Sequence, residues 1–274
     1  MALLLLSCAA QPIYATLIVQ ISVRDGIVLC ADRRATITLP SGSGFYDKNV
    51  KIFQLGNECL YTITGLGGLG ITSLTGPALF SLNSVIENYF RQHNCSGAEI
   101  DKLDLSIYLY DKIGAFLKRH QETFQYAHVL IFNRDKRNAL KRTDCTIVPT
   151  DRSGPPQCHC FPVTIPSMGR GYEVIGDAAA SKSALNEEIG GRLKEDKRVQ
   201  AVLQKVGQTG IITLSDAEII GRGTVREAST IPARGHRLGD ISPECDCIHM
   251  GSMTGITWLN KPTATTVVGR SVRK

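Results

Sequence analysis

Residues 16–31 read TLIVQISVRDGIVLCA, two alternating runs rich in β-branched residues and joined by Asp25-Gly26. No other stretch constrains the fold as much. An Asp-Gly pair between such runs predicts a β-hairpin, because glycine supplies the positive φ of a tight turn. A hairpin alone is marginal and needs further strands on its edges. The chain offers them in pairs: KNVKIFQLG (48–56) with CLYTIT (59–64), HVLIFN (128–133) with ALKRTDCTIVP (139–149), and CDCIHMG with GITWLN over 245–260. YEVIG (172–176) is a further strand candidate.

Between these pairs the apolar period lengthens. Leu74, Ala78, Leu82, Val85, Ile86 and Tyr89 predict a helix over 70–92, with Pro77 near its start. Leu103, Ile107, Tyr110, Ile113 and Leu117 predict another over about 101–120. DAAASKSALNEEIGGRL after Gly176 reads as a third, and a capping box from Ser215 to Glu218 starts a fourth over 216–230. Residues 37–47 and 231–244 read as loops, 150–170 as a loop or hairpin excursion, and 261–274 as a polar tail. Strands, two helices, strands, two helices, strands predict a mixed α/β (α+β) domain over 16–260. The expected form is a four-layer αββα sandwich, two packed antiparallel sheets between helix layers.

The 274 residues suffice for one such domain. No run reaches the roughly 18 apolar residues of a spanning helix, so no membrane span is expected. A net charge of +6 is mild, and RDKRNALKR (134–142) at a hairpin tip reads as a solvated face, so no nucleic-acid partner is expected. Residues 1–15, MALLLLSCAAQPIYA, have a short apolar core and a small residue, Ala15, at a signal-peptidase-like position. They read as a leader, either an export signal, which would place the protein in the periplasm, or a pro-segment of a cytoplasmic one. Cys158-His-Cys160 and Cys245-Asp-Cys247 each put two sulfurs on one strand face. Zinc knuckles use C-x₂-C, so disulfides to neighbouring segments or buried thiols are expected, and no metal.

Gly65-Leu-Gly67-Gly-Leu-Gly70 matches the dinucleotide fingerprint G-x-G-x-x-G. Its ribose-binding acid should end a second parallel strand about 20 residues on. The nearby acid, Glu87, falls in a predicted helix instead, and no cofactor is expected. A different constellation carries chemistry. A hairpin brings Asp32 back toward the edge where Thr16 starts, and Lys51 begins the next strand pair. A threonine hydroxyl needs a base. A threonine that becomes the first residue has one in its own α-amine, whose pKa is near 8. A neighbouring lysine tunes both groups, and an aspartate holds that lysine charged and oriented. The glycine turn after CLYTIT offers a backbone N–H to an oxyanion.

TLIVQISVRDGIVLCADRRAT, DKNVKIFQL and LYTITGLGG together resemble the N-terminal half of proteasome β subunits and their bacterial relatives, the N-terminal-nucleophile threonine peptidases. The likeness is close over about 16–70. It implies Thr16 as nucleophile, Asp32 and Lys51 as its electrostatic partners, and Gly65 as the oxyanion-hole glycine. It further implies Thr36, Gly65 and Gly67 against the substrate backbone, and Ala35, Phe53 and Ile63 around an apolar P1 side chain. Polypeptide substrates and a homo-oligomeric ring or other self-assembly follow from the same likeness. Further on, GDISPECDC (239–247) resembles the family's late loop: Asp240 fits its aspartate, while Ser242 is one position from its serine. Asp177 stands where the family carries a serine. Ala15 replaces the glycine that precedes the nucleophile in the family's self-cleavage; signal peptidase cutting after Ala15 would expose Thr16 directly. These departures leave two alternatives, a non-catalytic subunit of a ring and an amidase acting on a small amide.

Overall fold

The computed structural model describes residues 16–39, 42–70, 78–93, 99–120, 124–150, 155–165, 172–176, 190–230 and 241–260. The predicted leader, the polar tail, Asp177, Asp240 and most of the helix predicted after Gly176 lie outside these residues.

Strands β1 (Leu17–Val23) and β2 (Gly26–Asp32) form the expected antiparallel hairpin, with Val23 opposite Gly26 and Ile18 opposite Ala31. Gly26 does not adopt the positive φ expected of the turn; it is needed for space, since a Cβ on it would lie 2.1 Å from the Met250 carbonyl oxygen. The predicted loop over 37–47 is instead mostly strand: β3 (Ala35–Leu39) pairs antiparallel with β4 (Gly42–Tyr46). A ladder of backbone hydrogen bonds does not require apolar alternation, so the Ser/Gly-rich composition concealed it. β5 (Ile52–Leu55) and β6 (Cys59–Gly65) pair as expected.

The helix predicted from residue 70 starts later. Gly68–Leu69 (β7) and Phe80–Ser81 (β8) form a short ladder first, and α1 spans Leu82–Gln92. Ser81 sets that start, its side chain accepting the Ser84 N–H. α2 (Lys102–His120) matches its predicted bounds, but its buried face is Leu105, Leu109, Ile113 and Leu117, while Leu103, Ile107 and Tyr110 of the expected stripe are exposed. β9 (Ala127–Arg134) and β10 (Leu140–Val148) are joined by a third strand, β11 (Gln157–Val163), inside the stretch read as a loop or excursion. β12 (Tyr172–Gly176) follows. Helix α3 (Lys197–Thr209) was not predicted, although Asp196 caps its N-terminus and Gly210, at φ 66°, its C-terminus. α4 (Leu214–Ala228) begins ahead of its predicted start because Thr213 and Asp216 form the capping box, not Ser215 and Glu218. β13 (Cys245–Gly251) and β14 (Gly255–Trp258) close the described chain.

The strands build two five-stranded antiparallel sheets, ordered β12-β1-β2-β13-β14 and β11-β10-β9-β6-β5. Three buried clusters follow from alternation. Leu17, Val19, Ile21 and Val23 of β1 pack with Val199, Ala217, Ile220 and Val225 of α3 and α4. Tyr61, Ile63, Val129 and Ile131 of the second sheet pack with Leu82 and Ile86 of α1 and with Leu105, Leu109 and Ile113 of α2. Ile18, Leu29 and Ile248 of the first sheet meet Leu60, Leu130 and Phe132 of the second. A polar clasp crosses beside this last cluster: Arg142 of β10 donates to Gln20 of β1 at 2.9 Å and to Glu173 of β12 at 2.6 Å. Its guanidinium also grips Asp144 through two bonds of 2.6 and 2.7 Å. Burial pushes the Asp144 carboxyl up, but the Arg142 hydrogen bonds and His128, whose Nε2 lies 3.2 Å away, prevail and hold it below its ordinary value.

Each C-x-C motif contributes one cysteine to a disulfide with a strand neighbour: Cys30–Cys247 joins β2 to β13, and Cys145–Cys160 joins β10 to β11. Cys59 is disulfide-bonded as well. Cys158 and Cys245 stay as thiols, pushed up by burial to about 12 and about 11 respectively. The Cys30 sulfur sits directly under α4, where a Cβ on Gly221 would lie 2.5 Å from it. Gly221→Ala is therefore expected to destabilise the fold by about 1–3 kcal/mol through overpacking, read as a lower urea midpoint at unchanged slope.

His249, 3% exposed on β13, stands 3.6 Å from Asp25 and its Nε2 has no hydrogen-bond partner. Burial depresses its proton affinity, outweighing the opposing pull of Asp25. With the folded pKa lowered, the unfolded chain binds the proton more readily. This contribution is thus complete above the unfolded pKa of about 6.5 and is lost as pH falls. Urea midpoints should decline between about pH 7 and 5, and His249→Gln should flatten that slope.

Candidate active site

Asp32 ends β2 with its carboxylate buried among four hydrogen-bond donors. Oδ1 accepts the Leu17 N–H at 2.8 Å and the Lys51 ammonium at 2.7 Å. Oδ2 accepts the Arg34 N–H at 3.0 Å and the Ser242 N–H at 3.5 Å. A carboxylate with donors on both oxygens is satisfied as an acceptor only, which is how an ionised group bonds. Lys51 is equally enclosed: the side chains of the pair are 2% and 0% exposed. A buried ion pair of this kind has a low-dielectric setting and fixed geometry, unlike a surface pair.

The hairpin register explains how Thr16 comes near. Ile18 lies opposite Ala31, so the chain just before it runs out alongside Asp32. Asp32 holds the N–H of Leu17, the amide whose carbonyl belongs to Thr16. One oxygen therefore anchors both the Lys51 ammonium and the peptide bond that follows Thr16. Thr16 itself is partly exposed, at the end of β1. Lys51 is delivered by the residues beyond it, since Ile52 is buried between the sheets and pins the start of β5.

The other candidate residues spread around this centre. Gly65 closes β6 opposite Ala127 with φ 78°, a left-handed conformation that a side chain would strain. Beyond it the chain turns, the Leu66 N–H donating to Tyr126 and the Gly67 carbonyl accepting from Leu82 at 2.9 Å. Gly67 is exposed, with open space where a Cβ would point. Ala35 and Thr36 start β3, paired with Tyr46 and Phe45. Phe53 stacks on Tyr61, ring centroids 4.9 Å apart, and both join Ile63 in the cluster under α1 and α2. Ser242 reaches the centre through its backbone N–H; its hydroxyl accepts the Glu244 N–H at 3.2 Å.

Two arginines after Asp32, quoted only as part of DRRAT, carry more of the local structure than the sequence suggested. Arg34 forks onto Asp47, with one bond of 2.6 Å, and holds that carboxyl below its ordinary value. Arg33 forks onto Asp246 of β13, which raises its own pKa. Two adjacent cations in CADRR and two acids at alternate positions in ECDC were the available signal.

Among the described residues no group of three or more His, Cys, Asp or Glu side chains is placed to hold a metal. Within the G-x-G-x-x-G stretch Gly68–Leu69 pairs with β8, and β6 lies between antiparallel neighbours. A dinucleotide site needs a parallel βαβ unit there.

Neither a protein-family model nor a curated protein matches the sequence. The candidate site therefore rests on its own geometry.

Proposed function

We propose that the chain is a proteasome-like threonine peptidase of the N-terminal-nucleophile type, with the four-layer αββα arrangement of that family. The observation that carries this reading is the Asp32 carboxylate, whose single oxygen Oδ1 anchors both the buried Lys51 ammonium and the peptide after Thr16.

In this reading Thr16 is the first residue of the mature chain. Its α-amine takes the hydroxyl proton as Oγ attacks the scissile carbonyl. The Lys51 ammonium disfavours a second positive charge on that amine, keeping it available as a base. The tetrahedral oxyanion is met by the Gly65 N–H, and its collapse expels the amine product, which takes up the proton. The remaining ester on Thr16 is hydrolysed by water, activated by the same amine. Phe53, Ile63 and Ala35 give an apolar P1 preference, and subunits assemble into a ring around polypeptide substrates. No helix among the described residues is long and apolar enough to cross a membrane.

Incubation with fluorogenic peptide amides that differ only at P1 tests the proposal. Release of the fluorophore after apolar P1 residues, faster than after charged ones, supports it. Absence of hydrolysis for every peptide by protein starting at Thr16 contradicts it.

A further inference from the structure

Arg33 touches two separate segments of chain that meet at Asp32. Its guanidinium donates from Nε and Nη2 to Asp246 Oδ1 at 2.9 and 2.6 Å, and from Nη1 to Glu244 at 3.3 Å. Its backbone N–H donates to the Glu244 carbonyl at 3.2 Å, and its own carbonyl accepts the Asn49 N–H at 3.0 Å. Asn49 lies just ahead of Lys51, and Glu244 just after Ser242. Both segments therefore bond to the residue that follows Asp32 in the chain.

The side chains involved differ in weight. Asp246 is 4% exposed, so its charge is held by the arginine fork; Glu244 is 70% exposed and adds little. Of the four donors on Asp32, the Ser242 N–H is the longest at 3.5 Å, the limit of a useful bond. A small retreat of residues 242–246 breaks it first. A lysine in place of Arg33 presents a point charge to Asp246 and loses the fork that also spans Glu244.

We infer that the Arg33 side chain is a positioning group, locking the 242–246 segment over the buried Asp32–Lys51 pair. It touches no reacting atom and acts through Asp32 and Lys51. The inference rests on the peptidase reading for its effect on turnover, but its geometric content stands apart from it.

Arg33→Met, Arg33→Lys and Asp246→Asn, each confirmed as folded by its thermal transition, test it. With a fluorogenic peptide amide bearing an apolar P1 residue, Arg33→Met should lower kcat about ten- to a hundredfold, as small misplacements of catalytic groups do. KM should stay within about twofold, since ground-state binding is untouched. Arg33→Lys should recover part of the loss, and Asp246→Asn should reproduce it. In parallel, competitive acetylation read by mass spectrometry should show Lys51 gaining reactivity in Arg33→Met relative to exposed Lys141. Folded Arg33→Met with wild-type kcat and protected Lys51 overturns the inference. If the wild type hydrolyses no peptide, the peptidase reading fails. Lys51 acetylation then decides alone: a rise in the variant supports positioning, and no rise overturns it.

Discussion

Thr16→Ala is expected to lower peptide hydrolysis at least about a thousandfold while leaving the fold intact. Removal of a nucleophile leaves only substrate binding and the oxyanion donor, which together give a small residual rate. Thr16 is partly exposed at a strand end, so its truncation should change the thermal midpoint little. Thr16→Ser keeps the oxygen and the amine, and should retain measurable activity. The contrast between the two variants separates a missing nucleophile from a disturbed strand. Equal activity in Thr16→Ala and wild type would remove Thr16 from the chemistry.

Lys51→Met is expected to damage both stability and activity. It leaves the Asp32 carboxylate buried with backbone donors but without the ammonium at 2.7 Å. Breaking one side of a buried pair costs about 3–5 kcal/mol, which for a chain of this size lowers the midpoint by on the order of 10 °C. Asp32→Asn combined with Lys51→Met removes the stranded charge and should recover a large part of the stability. It should recover no activity, because the ammonium that the proposed mechanism needs to keep the Thr16 amine unprotonated is still missing. Thermal scans and peptide hydrolysis on the single and double variants check both statements. A double variant no more stable than Lys51→Met would show that the pair is not what holds this edge of the fold.

The sequence showed the parts that alternate strongly. β1, β2, β6, β9 and β13 are buried runs bounded by turns, and α2 carries its apolar face at helical spacing, so their places were readable. Elements held by backbone pairing or capping were less so. β3 and β4 lie in Ser/Gly-rich sequence, β11 has mixed exposure, and α1 waits for the Ser81 cap although apolar residues begin earlier. α4 shows how close two capping boxes can lie: Thr213 with Asp216 competes with Ser215 and Glu218 two residues on, and the first wins.

At the site, the meeting of Asp32 with Lys51 followed from a hairpin and one more strand pair. The grip of Arg33 on Asp246 did not, because it joins residues far apart in sequence whose proximity depends on β2 pairing with β13. The same pairing determined which cysteine of Cys245-Asp-Cys247 is bonded, as the pairing of β10 with β11 did for Cys158-His-Cys160. Cys247 faces Cys30 in register, while Cys245 faces Asp32.

Intact-mass and N-terminal analysis of the mature protein after treatment with a threonine-directed covalent inhibitor is the most direct test of the account. It predicts a chain that begins at Thr16 and carries one inhibitor molecule on that residue, with no adduct in Thr16→Ala. A mature chain that keeps residues 1–15, or one that begins at Thr16 and remains unlabelled, would contradict it.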